Sequence, residues 1–392
     1  MRKVLLFGPI GDFGGRDIEV NLISASLSKA FEVKIFSTIY ISKKSTALQN
    51  LSNVKFSSMQ IKAYNSRWWL RFFSWVFYFK NKNEKAPYAY VCNKLSKSFF
   101  DFKTKNIQNL REEIQKSDVV IACVQLTSGY LPQVIDCCNE FHIPCFVRTT
   151  GTIFPFEGSY FDFLKRVPFF VHHSKTNAAN LNKQIPSNYT IIDQCASIEE
   201  ALLSIPIISG TSLVFGYLGR FSDEKGILPL IDFFQKNISN QLIIAGDGPQ
   251  KEQLLLKIEK LKNIKWIGQL ATEDISEFFK KIDVLVIPSF EESGPLVGLE
   301  AMASGKLIVS TKVGAMQERL EGTPNNFWFD IEDTNSLETI VKNLENLNAV
   351  ERKNIATQNR AKYLQYYQRS IIEKKYNDLV LSVLNETNNN EK

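Results

Sequence analysis

Four side chains in the second half of this 392-residue chain have the types and spacing for chemistry on a phosphorylated substrate. Arg220 and Lys225 stand in the run Gly219-Arg-Phe-Ser-Asp-Glu-Lys-Gly226, directly after the apolar stretch Leu213 to Leu218. A guanidinium can fork onto two phosphate oxygens, and an ammonium adds a mobile point charge, so the pair suits a diphosphate leaving group. Glu292 and Glu300 follow, with seven residues between them, in the run Pro288 to Ala301 (PSFEESGPLVGLEA). Pro295 suits the first position of a helix, where its missing N–H is not needed. That helix is expected over Leu296 to Ser304, with Gly305 ending it. Its start would offer free N–H groups and the positive end of a dipole, again suited to phosphate.

These side chains need a scaffold, and the flanking residues supply one. Val284 to Ile287 has the length of a buried strand, and Pro288 stops it. Leu307 to Thr311 reads as the next strand, which makes a strand–loop–helix–strand unit of a parallel sheet. The loop then lies at the carboxyl end of its strand, where open α/β sheets bind ligands. The same alternation recurs along the chain. Strands are expected at Lys3–Phe7, Phe31–Ser37, Asp118–Val124, Pro144–Arg148, Phe169–Val171, Thr190–Ile192, Leu242–Ala245 and Ile264–Ile267. Helices are expected at about Asp17–Ala30, Leu131–Glu140, Gln250–Leu261, Leu337–Leu347 and Arg352–Leu384. The fold class is therefore α/β, with two doubly wound domains, and the length is right for two cores.

The segment from Pro288 to Ala301, with Pro288, Ser289, Glu292, Glu300 and Ala301 in place, resembles the retaining glycosyltransferases of family 4, which have the GT-B fold. Their signature is a pair of glutamates spaced E-x7-E and followed by alanine. The resemblance is sharpest over Gly219 to Glu318. It implies two Rossmann-like domains facing a cleft that closes by domain motion, with a last helix crossing back to the first domain. The corresponding boundaries are 1–204 for an acceptor-binding domain, 205–369 for a donor-binding domain and 370–392 for the crossing helix and tail, with a connector from Gln194 to Gly210. The resemblance also assigns roles. Arg220 and Lys225 would stabilise the departing diphosphate, with N–H groups at Gly294, Leu296 and Val297. Glu292 would hold the donor sugar or stabilise its developing positive charge, and Glu300 the ribose hydroxyls. The backbone at Gln269 and Leu270 would meet the nucleotide base. Gly14 and Gly15 match the glycine loop that faces the donor phosphates, and Glu19 approximates the glutamate that follows it. Thr150 stands where the family has a histidine. Gly246-Asp-Gly-Pro249 resembles the family's G-x-G-P turn and reads as turn chemistry.

Other readings of the same residues weigh less. The loop Gly8 to Gly15 lacks the G-x-G-x-x-G spacing and the acidic residue of a dinucleotide site. His172 and His173 read as structural or solvent-facing, since a histidine pair alone is not a metal site. Six cysteines without zinc spacing read as reduced thiols of a cytosolic protein. The apolar run at the N-terminus is too short for a signal peptide, and no stretch is long and apolar enough to span a bilayer. Residues 1–204 hold 25 Lys/Arg against 16 Asp/Glu, whereas residues 205–392 hold 22 against 25. Between Lys55 and Lys105, eleven Lys/Arg face only Glu84 and Asp101, a field that attracts anions. Within it lies Lys62 to Lys82, with Trp68, Trp69, Trp75 and a run of Phe and Tyr. Two readings stand for this segment: a helix in the headgroup layer of a membrane, or a core helix with an aromatic stripe. Nothing in it resembles a nucleic-acid module.

The expectation is thus a metal-independent, hexosyltransferase-type enzyme without a cofactor, the nucleotide sugar being a substrate. It would use a nucleoside-diphosphate sugar, UDP-sugar favoured, and a glycan or lipid-linked acceptor, with retention of configuration, in bacterial surface polysaccharide assembly. Its place would be the cytoplasm, peripheral on an anionic inner membrane face, with no nucleic-acid partner. The competing expectations are a catalytically inactive, membrane-associated partner subunit and a sugar-nucleotide 2-epimerase of the same architecture.

Overall fold

The computed structural model describes residues 1–81, 85–156, 159–207 and 213–390. Lys82, Glu84, the end of the connector at Gly210 and the terminal Lys392 lie outside the described residues. The chain divides into two compact units.

The first unit takes in Met1–His172, Ala178–Ile192 and the chain from Glu373 on. Its sheet has seven parallel strands: β1 (Lys3–Gly8), β2 (Glu32–Ser37), β3 (Lys55–Ser58), β4 (Val119–Val124), β5 (Cys145–Thr149), β6 (Phe169–His172) and β7 (Tyr189–Ile191), in the order β3-β2-β1-β4-β5-β6-β7. The central strand β4 is buried along its whole length. That is why it reads as a continuous apolar run rather than an alternating one. Helices α1 (Gly15–Leu27), α2 (Met59–Ser66), α3 (Trp68–Asn81), α4 (Lys94–Phe99), α5 (Phe102–Ile114) and α6 (Leu131–Glu140) connect the strands. The last helix of the chain, Arg369–Asn390, joins this unit from Glu373 on. There the Ser26 hydroxyl donates to the Glu373 carbonyl at 2.7 Å, Asn377 donates to Ser26 Oγ at 2.7 Å, and Lys29 pairs with Glu373 at 2.9 Å.

The second unit takes in His173–Asn177 and Asp193–Ile372. It holds six parallel strands: β8 (Val214–Leu218), β9 (Gln241–Ala245), β10 (Ile264–Trp266), β11 (Val284–Ile287), β12 (Leu307–Ser310) and β13 (Phe327–Trp328), in the order β10-β9-β8-β11-β12-β13. In both sheets the chain starts near the middle, runs to one edge, and returns to build the other. This is the doubly wound pattern, and it leaves loops gathered at the carboxyl ends of the strands around the reversal point.

Two local expectations change. The aromatic segment is two helices, not one, because Arg67 between them is extended (φ −144°, ψ 139°). The long C-terminal helix is also two, Ala349–Tyr366 and Arg369–Asn390. Of the two readings of the histidines, structural or solvent-facing, the structure gives the first: His172 and His173 are both buried. All six cysteines are free thiols, and only Cys92 is exposed.

Candidate functional site

The loop after β8 carries Arg220 and Lys225, and the loop after β11 carries Glu292 and Gly294. Strands β8 and β11 are neighbours in the sheet, so two loops far apart in sequence meet. Lys225 Nζ forms an ion pair with Glu292 Oε1 across 67 residues of chain. The backbone locks the same two loops together, since Phe290 N–H donates to the Glu224 carbonyl at 2.9 Å. Gly226 allows this approach. It adopts φ 64°, and a β-carbon there would overlap the Pro288 carbonyl oxygen.

A third loop supports Arg220. The turn Gly246–Pro249 follows β9 and lies against Gly219–Phe221. Phe221 N–H donates to Asp247 O at 2.9 Å, and Gln250 N–H donates back to Phe221 O at 3.0 Å. A side chain on Gly248 would run into the Phe221 backbone, 2.6 Å from its nitrogen. The G-x-G-P run therefore does what turn chemistry suggests, by bracing the arginine loop. Gly246 N–H also donates to Gly268 O at 2.9 Å, which ties the segment Gly268-Gln269-Leu270 beyond β10 into the same edge. Gln269 is exposed there and Leu270 half-buried.

The electrostatics of the cluster are mixed. Arg220 is exposed, and its guanidinium has no ion-pair partner among the described residues. Its carbonyl accepts from the Tyr217 hydroxyl at 2.8 Å. Burial first, and then Glu292 and Glu224, push the Tyr217 hydroxyl up. The Ser222 hydroxyl, with help from Lys225 and Arg220, holds the Glu224 carboxyl below its ordinary value. Arg220, Lys225, Glu224, Glu292 and Tyr217 thus form one interacting set.

Helix Leu296–Ala303 starts in this set. Pro295 is its N-cap, one position earlier than expected, and Leu296 is the first helical residue. The N–H groups of Leu296 and Val297 belong to the first turn, which has no intrahelical acceptors. Glu300 sits one turn on and is 3% exposed. It accepts from the Ser197 hydroxyl at 2.6 Å, and burial pushes its carboxyl up. The helix packs closely because Gly298 has no side chain to keep Met316 away.

Arg319 had no sequence signal as a site residue, yet it shapes the loop. Its guanidinium is fully buried and bidentate to Asp193, at 2.8 and 2.6 Å. It also donates to the Pro295 carbonyl at 2.6 Å, and a β-carbon on Gly294 would sit 3.0 Å from Nη2. A glutamine–glutamate–arginine run on a short helix reads as surface; only the partner Asp193, 126 residues away, explains the burial.

Gly14 and Gly15 belong to the first unit, where Gly14 caps α1 and Gly15 opens it. No heavy atom lies within 4 Å of a β-carbon placed on Gly15, so its backbone is open. Glu19 does not join that open face. It is 2% exposed and paired with the buried Arg148, and Tyr376 OH donates to its Oε1 at 3.4 Å. Thr150, where a histidine was expected, accepts from Arg16 at 3.2 and 3.1 Å, and Arg16 also donates to Pro9 O at 3.0 Å. His172 is locked beneath. Its Nδ1 lies 2.8 Å from Thr149 Oγ1, and burial followed by the Arg148 charge lowers its pKa to about 3.

Two Rossmann-like parallel-sheet units of this kind define the GT-B fold. Residues 200–362 match the family model Glycosyl transferases group 1, a span that includes Arg220, Lys225, Glu292 and Glu300 but not Gly14 or Gly15. The solved structure of Anabaena Alr3699/HepE in complex with UDP and glucose superposes with a TM-score of 0.71 over 97% of this chain and 100% of its own, at 16% identity. The lipopolysaccharide outer core galactosyltransferase WaaB superposes with a TM-score of 0.65 over 97% and 99%, at 14% identity. At such identities the likeness is one of fold. An uncharacterized glycosyltransferase of Methanocaldococcus jannaschii is 31% identical over 118 residues, which is 29% of this chain and 30% of that protein. The matches to curated relatives of this kind span 29% to 32% of those proteins' length.

Proposed function

We propose that the protein is a glycosyltransferase that moves a sugar from a nucleoside-diphosphate sugar, a UDP-sugar in the first instance, to a glycan or lipid-linked acceptor with retention of configuration. The observation that carries the reading is the Lys225–Glu292 pair. It joins a cationic loop and a carboxylate loop at the ends of adjacent strands, next to a helix start. The family match over 200–362 and the UDP carried by the Anabaena fold relative support the same donor class.

In the proposed reaction the bond between the anomeric carbon and the β-phosphate oxygen breaks, and its electron pair leaves with the diphosphate. An acceptor oxygen forms the new bond and releases its proton. Negative charge grows on the β-phosphate, opposite Arg220 and Lys225 and the N–H groups of Gly294, Leu296 and Val297. Glu292 orients Lys225 and meets the sugar, where positive charge develops. Glu300 receives the ribose hydroxyls, the backbone of Gln269 and Leu270 the base, and Gly14 and Gly15 the phosphate or acceptor side. Two cations facing the diphosphate make the proposed reaction independent of a metal ion. The proposed setting is surface polysaccharide assembly. The basic, aromatic first unit supports a peripheral site on the inner face of the cytoplasmic membrane.

A thermal-shift titration with UDP, GDP, ADP and CMP, each with and without magnesium, tests the donor assignment. A ligand that binds only the folded state raises the melting temperature. A shift with one nucleoside diphosphate, indifferent to magnesium and lost in Arg220→Ala, is expected. No shift with any of them would overturn the reading in favour of an inactive partner subunit.

A further inference from the structure

Helix α3 has two unlike faces. Leu70 and Ser74 are buried inward, where Leu70 joins Ala63 and Val91 in a small core of their own. Facing outward are Trp68, Phe72, Trp75, Val76 and Phe79, which are 78%, 59%, 42%, 45% and 66% exposed. Their spacing puts all five on one helical stripe. At 100° per residue, Arg71 and Lys80 fall on opposite flanks of that stripe, and Arg67 lies just before the helix; all three are exposed. The rings support one another, with Trp75 5.4 Å from Phe79 and 5.3 Å from Tyr78. Helix α4 extends the patch. Trp69 meets Phe100 edge-on at 6.0 Å, and Leu95 and Phe99 are 45% and 75% exposed beside the exposed Lys94 and Lys97. Helices α2, α3 and α4 contain no Asp or Glu.

We propose that the outer face of α3, extended by α4, is a docking surface for an anionic lipid bilayer. A contiguous stripe of five exposed large apolar side chains marks an interaction site. Cations on both flanks without an acid choose the partner's charge, and aromatic rings with flanking basic side chains suit the headgroup layer. A second copy of the same face would bring like charges together, because a twofold interface apposes identical patches. The helix lies in the membrane plane: with 14 residues it is about 21 Å long, short of the ~30 Å hydrocarbon core. No described helix is long and apolar enough to cross a membrane.

This inference deepens the lipid side of the transferase reading and rests on it only for the meaning of the contact. The test therefore measures vesicle binding without donor or acceptor. The full chain is floated with phosphatidylcholine vesicles and with phosphatidylcholine–phosphatidylglycerol vesicles at low and high salt. Strong binding to the anionic vesicles alone, weakened by salt, is expected. Arg67→Gln and Lys80→Gln should each weaken it about fivefold. The triple variant Trp68→Ser, Phe72→Ser, Phe79→Ser should lose it while its thermal unfolding, with and without UDP, stays that of the wild type. Equal binding to both vesicle types, no binding, or wild-type binding by the triple variant would overturn the proposal. So would a wild-type dimer that the triple variant converts to monomer, since a second copy would then own the face.

Discussion

Replacing Gly226 by alanine tests whether the two site loops are held by the close approach seen between them. Two costs add. The residue sits at φ 64°, where a β-carbon costs about 1–2 kcal/mol. That carbon would also overlap the Pro288 carbonyl oxygen, with the Ile331 side chain close by, and overpacking of this kind costs about 1–3 kcal/mol. The expected total is about 2–5 kcal/mol, or roughly 4–20 °C of melting temperature for a domain of this size. Gly322→Ala is the matched control. It has φ 74°, but its β-carbon would meet nothing within 4 Å, so it should lose only the backbone share of about 1–2 kcal/mol. Thermal unfolding of the two variants side by side isolates the contact. Nucleotide affinity adds a second readout, since displacing Gly226 moves Lys225 away from Glu292, whereas Gly322 lies in a different loop. Equal destabilisation by the two substitutions, with nucleotide affinity intact in both, would refute the reasoning.

Three further outcomes follow from the same geometry. Burial pushes the Glu300 carboxyl above its ordinary 4.5, against the pull of the Ser197 hydrogen bonds. Its stabilising contribution is therefore complete below the unfolded value and is lost as pH rises through the folded one. Glu300→Gln should accordingly gain on the wild type in melting temperature as pH rises, while losing UDP affinity; a gap that narrows with rising pH would contradict this. In the first unit, Glu19→Ala removes the buried carboxylate that pairs with Arg148 and should cost about 3–5 kcal/mol in denaturant unfolding, most of it recovered by the apolar pair Glu19→Leu with Arg148→Met. His172, with its pKa lowered to about 3, favours the neutral folded state. Its contribution is present above the ordinary 6.5 and fades as pH falls toward 3, so His172→Phe should flatten the acid limb of a melting-temperature profile.

The strands that carry the site were legible because central strands buried on both faces must be apolar throughout: β4 and β11 appear in the sequence as unbroken runs. The edges were not. Strand β3 reads Lys-Phe-Ser-Ser and is only partly buried, and β13 is two residues long; neither has enough apolar length to stand out. The residues of the glutamate segment were legible because their spacing is local. Long-range pairing was not, since Arg319–Asp193 and Arg148–Glu19 join residues more than a hundred positions apart. A charged side chain with a distant partner looks like a surface residue in sequence. For that reason the sequence gives no sign of what Arg319 does, and it sets Glu19 beside an open glycine loop although Glu19 is a buried counter-ion. The aromatic composition of Lys62 to Lys82 is plain in the sequence, but the two-sidedness of its helix depends on Leu70 and Ser74 facing inward, which only the fold fixes.

The central claim is that Arg220 and Lys225 hold the diphosphate of a nucleotide donor. Its most direct test is calorimetric titration of UDP into the wild type, Arg220→Ala, Lys225→Ala and Lys257→Ala. Lys257 pairs with Asp232 away from the site loops and serves as the control. Loss of one charge-assisted hydrogen bond is worth about 1.5–3 kcal/mol, so each site variant should bind at least about tenfold more weakly while Lys257→Ala matches the wild type. UDP binding that is equally tight in all four proteins would contradict the account.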